Sequence, residues 1–190
     1  MLLGTLVKSA GKNYQKIKVK GISFDSRNLK KGDIFFAVKG KKTSGIKFID
    51  EAIAKGALAV VCRRNESHKN HKIPFILVND VRKSLAEASS IFYKRKPPNI
   101  VAVTGTNGKS SVADFFYQIL TLNKIKAASI GTLGILSKNY NKKADLTSLD
   151  SISLNKNLNI LAKNKVSHAI LEASSHGLDQ KRLDNLNIKV

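Results

Sequence analysis

The sequence has no tryptophan, four tyrosines and eight phenylalanines among its 190 residues. Few aromatic faces are available to stack on bases, which argues against single-stranded nucleic acid as a partner. A lone cysteine, Cys62, excludes an internal disulfide and the stapled scaffolds of small secreted domains, so a reducing, cytoplasmic setting is expected. No run of 18 apolar residues occurs, and the short apolar stretch from Met1 to Val7 is cut off by Lys8. Neither a signal peptide nor a membrane span is therefore expected. Acidic residues are scarce: 13 Asp and Glu stand against 34 Lys and Arg, a net charge of +21. Clustered, such a charge would drive nucleic-acid binding through counterion release. Here the basic residues are mostly Lys and are spread through every segment, so solvated faces and a field that favours anionic small molecules are expected instead. Proline is rare too, and two of the three sit together in Lys94-Arg95-Lys96-Pro97-Pro98, which places a domain boundary after Pro97.

With 42% hydrophobic residues the chain can bury one or two real cores. The pattern alternates strand and helix. Gly21–Arg27 reads as a strand entering a polar turn, Ile34–Val38 as an apolar strand, and Phe48, Ile49, Ala52 and Ile53 fall at helical spacing. Ala57–Cys62 and Ile73–Val78 are further strands, and a helix spans Val81 to Tyr93. Beyond the prolines come a strand at Ile100–Val103, a helix to Leu122 expected to pack Phe115, Phe116, Ile119 and Leu120, and a strand at Ala127–Gly131. The segment from Ser137 to Ala144 reads as polar and mobile. Ser151 is the expected N-cap of a helix carrying Leu154, Leu158, Ile160 and Leu161, and Val166–Glu172 is a third strand of the second half. The class is α/β: a small N-terminal α/β domain over 1–97, then from 98 the first part of a mostly parallel-sheet domain.

The stretch Val103-Thr104-Gly105-Thr106-Asn107-Gly108-Lys109-Ser110-Ser111 follows a strand and opens a helix. Unpaired backbone N–H groups at such a turn form a dense donor set for a polyphosphate. Gly105 and Gly108 let the backbone come close, Lys109 would reach the outer phosphates, and the Ser110 hydroxyl would hold Mg²⁺. Val103 stands where the general phosphate-loop pattern has its first glycine.

Ligands of open α/β sheets gather beyond the carboxyl ends of the strands, where this chain puts Thr104–Ser111, Gly131-Thr132 and Glu172-Ala173-Ser174-Ser175-His176. Glu172, ending an apolar strand beside the loop, is a candidate ligand for the same Mg²⁺. Ser174, Ser175 and His176 lack the nucleophile-elbow pattern and a marked Asp, which excludes a hydrolase triad. His68 and His71 lie in a charged loop without cysteine at ligand spacing, which argues against zinc.

As a set these residues resemble the Mur ligases of the UDP-N-acetylmuramoyl-tripeptide synthetase type. The resemblance is carried by Phe24-Asp25-Ser26-Arg27 with Gly32–Gly40, by the loop Thr104–Ser111, and by Glu172–Arg182 with its Ser-Ser-His-Gly-Leu run. The folylpolyglutamate synthases share the loop but have neither of the other two clusters. The resemblance implies an ATP-dependent amide ligase of peptidoglycan synthesis, joining a diamino acid, meso-diaminopimelate or L-lysine, to UDP-N-acetylmuramoyl-L-alanyl-D-glutamate through an acyl phosphate. It implies ATP at Gly105, Thr106, Asn107, Gly108, Lys109, Ser110 and Ser111, metal at Ser110 and Glu172, and Lys109 and Glu172 as the catalytic pair. It also implies substrate contacts from Phe24, Ser26, Lys41, Lys42, Thr43, Thr147, Ser148, Ser174, Gln180 and Arg182. The family has Thr-Thr-Pro-Asp where Thr147-Ser148-Leu149-Asp150 stands here.

By the same resemblance the complete ligase is a monomer, and this chain ends before its amino-acid-binding C-terminal domain, so alone it is expected not to complete the reaction. The other readings the residues leave are a non-catalytic UDP-sugar or nucleotide-binding module and a folylpolyglutamate-type ligase.

Overall fold

The computed structural model describes residues 1–40, 43–66, 73–143 and 148–189. The chain divides into two compact units, Met1–Phe92 and Tyr93–Val190.

The first unit is a four-stranded parallel sheet in the order β1 (Gly21–Ser23), β2 (Asp33–Phe36), β3 (Ala59–Arg63), β4 (Phe75–Val78). Parallel strands covered on both faces need apolar residues at every position. Accordingly all four residues of β2 are buried. On one face Phe35, Val60 and Cys62 share a core with Ile49 and Ala52 of the short helix between β2 and β3 (Ile49–Ala54). A longer helix, Val81–Phe92, buries Val81, Leu85, Ala86 and Ala88 and lies against β1 and β3. Among the described residues none of the helices is long and apolar enough to cross a membrane.

In the second unit β5 (Asn99–Val103) leads through the glycine loop into a helix, α-P, at Lys109–Leu122. Then come β6 (Ala127–Gly131), β7 (Gly134–Ser137), a helix at Ser151–Lys163, β8 (His168–Glu172), a short helix at Ser175–Asp179, and β9 (Ile188–Lys189). The sheet order is β7-β6-β8-β5-β9. β5 and β6, joined by α-P, are parallel as expected for a strand-helix-strand unit, but β8 is inserted between them. That insertion sets Glu172 directly across from Val103, where the loop begins. Leu154, Leu158 and Leu161 pack one face of the sheet with Ile100, Ala128, Ile130, Ala169 and Leu171.

Three expectations change. Residues 134–137, to which no element is assigned above and of which only Ser137 falls in the segment expected to be polar and mobile, form β7, an antiparallel partner of β6 joined to it through Thr132-Leu133. Gly134, at φ 102°, lies in the left-handed region that glycine adopts freely where the chain enters β7. The helix at Ser151–Lys163 is capped by Asp150: its Oδ1 accepts from the backbone N–H groups of Ile152 and Ser153, both at 2.9 Å, and Ser151 is the first helical residue. Finally, α-P turns Ala113, Phe116 and Leu120 toward the sheet and leaves Phe115 and Ile119 about 60% exposed, with Val112 and Leu122 on the same outer stripe. The helical period explains the split: successive residues are about 100° apart around the axis, so Phe115 and Ile119 share one stripe and Phe116 and Leu120 the next.

Replacing the cap, Asp150→Ala, leaves two backbone donors unpaired and is expected to cost about 1 kcal/mol. Thermal unfolding of the variant should show a matching drop in midpoint, with Ser151→Ala close to neutral.

Candidate functional site

The loop after β5 opens α-P with backbone conformations that favour glycine: Gly105 has φ 147° and Gly108, the helix N-cap, has φ 79°. A Cβ at Gly108 would meet nothing within 4 Å, so conformation rather than space demands glycine there. Thr106, Asn107 and Ser111 are exposed. Lys109 folds its Nζ back over the loop, donating to the carbonyls of Gly105 at 2.6 Å and Thr106 at 3.2 Å.

Beneath the loop lies Glu172, 3% exposed. Its Oε2 accepts from the Ser110 hydroxyl at 2.9 Å and the Thr132 hydroxyl at 3.0 Å, and its Oε1 accepts from the Thr132 backbone N–H at 2.9 Å. All three donors are neutral, and among the described residues no cationic side chain forms an ion pair with this carboxylate. Gly131 makes room for it: a Cβ there would lie 2.0 Å from Oε1. A buried carboxylate beside two hydroxyls, without a cation of its own, is a hard oxygen donor set suited to Mg²⁺. Magnesium takes one or two protein oxygens and completes its shell from phosphates and water, a demand that Glu172 and the Ser110 hydroxyl can meet.

The backbone of Glu172 carries a second cluster. Its carbonyl accepts from the Ser148 hydroxyl at 3.0 Å, and Ser148 Oγ also lies 3.0 Å from Ser174 Oγ and accepts from the Ser174 N–H. Ser174 in turn caps the helix at Ser175–Asp179 by accepting from the Gly177 N–H. Arg182 donates through Nε and Nη2 to Gln180 Oε1, at 3.1 and 2.8 Å, and through Nη1 to the Ser148 carbonyl. Thus Ser148, Ser174, Gln180 and Arg182 come together, and Glu172 touches both this group, through its carbonyl, and Ser110, through its side chain. Ser174, Ser175 and His176 form no triad: the Ser174 hydroxyl goes to Ser148 and Gly177. Thr147 lies outside the described residues.

In the first unit Phe24 and Ser26 follow the carboxyl end of β1, and Thr43 lies in the segment after β2. Phe24 is 37% exposed. Ser26 is buried and gives its hydroxyl to Glu51 Oε2 at 2.8 Å, a partner that sequence reading did not mark. Asp25 caps the turn at Ser26–Asn28 by accepting from the Arg27 N–H, and Arg27 grips both its oxygens. Hydrogen bonding from the Arg27 side chain leads the causes that hold the Asp25 carboxyl below its ordinary value. Glu51 is lowered likewise, first by Lys55 and then by Ser26. Thr43 is exposed and closes a turn by accepting from the Gly40 N–H at 2.8 Å. Lys41, Lys42, His68 and His71 lie outside the described residues.

Comparison with known families bears directly on this arrangement. The Mur ligase middle-domain model matches residues 103–190, and a model described as the Mur ligase family, catalytic domain, matches residues 18–93. The chain belongs to the Mur ligases. Among curated Mur ligases it is 44% identical over 181 residues to the UDP-N-acetylmuramoyl-L-alanyl-D-glutamate–2,6-diaminopimelate ligase of Rickettsia montanensis, covering 93% of this chain and 37% of that one. It is 45% identical over 172 residues to the ligase of the same name from Rhizobium meliloti, covering 90% and 35%. A solved structure of a ligase of that name superimposes with a TM-score of 0.84 at 29% identity, over 100% of this chain and 39% of its own. The MurF ligase of Thermotoga maritima, solved with ADP, matches with a TM-score of 0.54 at 27% identity, over 83% and 32%. This Mur ligase chain spans a little over a third of the length of the curated relatives it matches.

Two measurements test the geometry. Gly131→Ala should displace the Glu172 carboxylate and lower the thermal midpoint, whereas Gly108→Asn, which tolerates positive φ, should be mild. For Asp25 the sign is that of a depressed carboxyl: its contribution to stability is present above the unfolded value near 3.8 and is lost as pH falls through the lower folded value. NMR titration of Arg27→Ala should move the Asp25 midpoint upward toward 3.8.

Proposed function

We propose that this chain supplies the UDP-sugar-binding domain, 1–97, and the first part of the ATP-binding domain, from 98, of an ATP-dependent amide ligase that adds diaminopimelate to UDP-N-acetylmuramoyl-L-alanyl-D-glutamate. One observation carries it: Glu172 joins two ligand-type clusters, its side chain on Ser110 of the phosphate loop and its carbonyl on Ser148 of the Ser148-Ser174-Arg182 group. A phosphoryl donor and an acceptor carboxylate held at these clusters would be neighbours. The ADP bound to the Thermotoga maritima relative and the names of the curated relatives support both ligands.

The loop amides from Gly105 to Ser111 bind and orient the polyphosphate. Lys109, resting on neutral carbonyls, finds in the outer phosphates an acceptor with charge and turns toward them. Ser110 and Glu172 would hold Mg²⁺, which neutralises phosphate charge when bound. Arg182 presents a planar fork to an anionic group of the acceptor, with Ser148, Ser174 and Gln180 beside it, and Thr147 is a further contact of the same ligand. Phe24, Ser26 and the segment Lys41-Lys42-Thr43 bind the uridine part. Transfer of the γ-phosphoryl group to the acceptor carboxylate gives an acyl phosphate, and attack by the diamino acid's amine forms the amide and releases phosphate. The contribution of the residues is placement and charge neutralisation at the transferring group.

Calorimetry at fixed moderate salt tests this. The chain should bind UDP-N-acetylmuramoyl-L-alanyl-D-glutamate, and Arg182→Ala should weaken that binding about tenfold, the range for a lost charge-assisted pair. Lys109→Ala should weaken ATP binding without altering the UDP ligand. Folded protein that binds neither ligand would overturn the proposal.

A further inference from the structure

Arg182 is aimed by Gln180, and Gln180 is in turn held by a residue to which nothing above assigns a role. The Gln180 side-chain nitrogen lies 2.6 Å from His176 Nε2, one helical turn away. The chemistry of the three groups fixes every donor in this chain. A guanidinium can only donate, so the atom of Gln180 that receives Arg182 Nε and Nη2 must be the amide oxygen. The amide nitrogen then faces His176, and because it too can only donate, His176 Nε2 must accept. The imidazole is therefore neutral at that atom, with its proton on Nδ1.

We propose that His176 is a positioning residue for Arg182, acting through the Gln180 amide. An amide free to rotate offers the guanidinium its oxygen in one orientation and its repelling NH₂ in the other. An acceptor at His176 Nε2 selects the first. With Gln180 Oε1 taking two of its N–H groups and the Ser148 carbonyl a third, the guanidinium plane is held at both ends. Without the His176 acceptor the amide samples both orientations, and Arg182 loses the support that fixes its plane beside Ser148 and Ser174. The consequence for acceptor binding rests on the function proposed above; the positioning itself does not.

The experiment uses the isotopically labelled 190-residue chain. NMR should show His176 as the Nδ1–H tautomer and a protected Arg182 Nε–H. His176→Ala should speed exchange of that Nε–H roughly fivefold to tenfold, as for one hydrogen bond lost. His176→Gln, which can offer an amide oxygen to the same NH₂, should restore protection within about twofold of the parent. An Nε2–H tautomer, or Nε–H exchange unchanged in His176→Ala, would overturn the proposal. In calorimetry with UDP-N-acetylmuramoyl-L-alanyl-D-glutamate, His176→Ala should weaken binding in the parent and have no further effect in an Arg182→Ala background. An equal loss in both backgrounds would also overturn it. If no form binds the ligand while the NMR pattern holds, the proposed function fails and the positioning role stands.

Discussion

A buried carboxylate held by neutral donors is the constraint around which the second unit is arranged. Glu172 is taken out of water and held by hydrogen bonds from one backbone N–H and two hydroxyls. In a chain of net charge +21, a lysine or arginine would have been an easy partner to supply. Instead Lys109 rests on carbonyls and Arg182 on Gln180 and Ser148. The carboxylate is touched by three elements whose relative placement matters: the start of α-P, the turn after β6 and the end of β8.

Strand order makes that meeting possible. Inserting β8 between β5 and β6 puts the last residue of β8 level with Val103 on one side and next to the β6–β7 turn on the other. Gly131 then has to lack a side chain, because the carboxylate occupies the volume its Cβ would fill. Local chemistry and topology here require each other: Ser110 and Thr132 are more than twenty residues apart and meet only through the strand between them.

Much of this was legible in the sequence, and the reasons are specific. The alternation of apolar strands with 3.6-period helices gives the parallel sheets, and Thr104–Ser111 shows a turn that only glycines permit. Glu172 stood out because an apolar strand ended on a charge. What was missed lay in long-range pairing or in competition between neighbours. Glu51 reads as one of several charges on a helix, and nothing local says that it receives Ser26. Asp150 and Ser151 are both good caps, and only the backbone decides between them. β7 escapes a reading of the sequence because it is only four residues long and runs into a polar segment, and Thr132-Leu133 carries none of the glycine or asparagine signals of a two-residue hairpin. The outward face of α-P was misjudged because apolar residues occur all around the helix, and composition alone cannot tell which stripe meets the sheet.

The two edges of the second sheet are not alike. Beyond β7 the backbone of Ile135 is already paired with Lys142 in both directions, which closes that side to another strand. β9 pairs with β5 on its inner side over Ile188 and Lys189. Between these two edges β6, β8 and β5 each have a strand on both sides, so Glu172, at the tip of β8, is flanked by the ends of two neighbouring strands and meets ligand only along the strand axis.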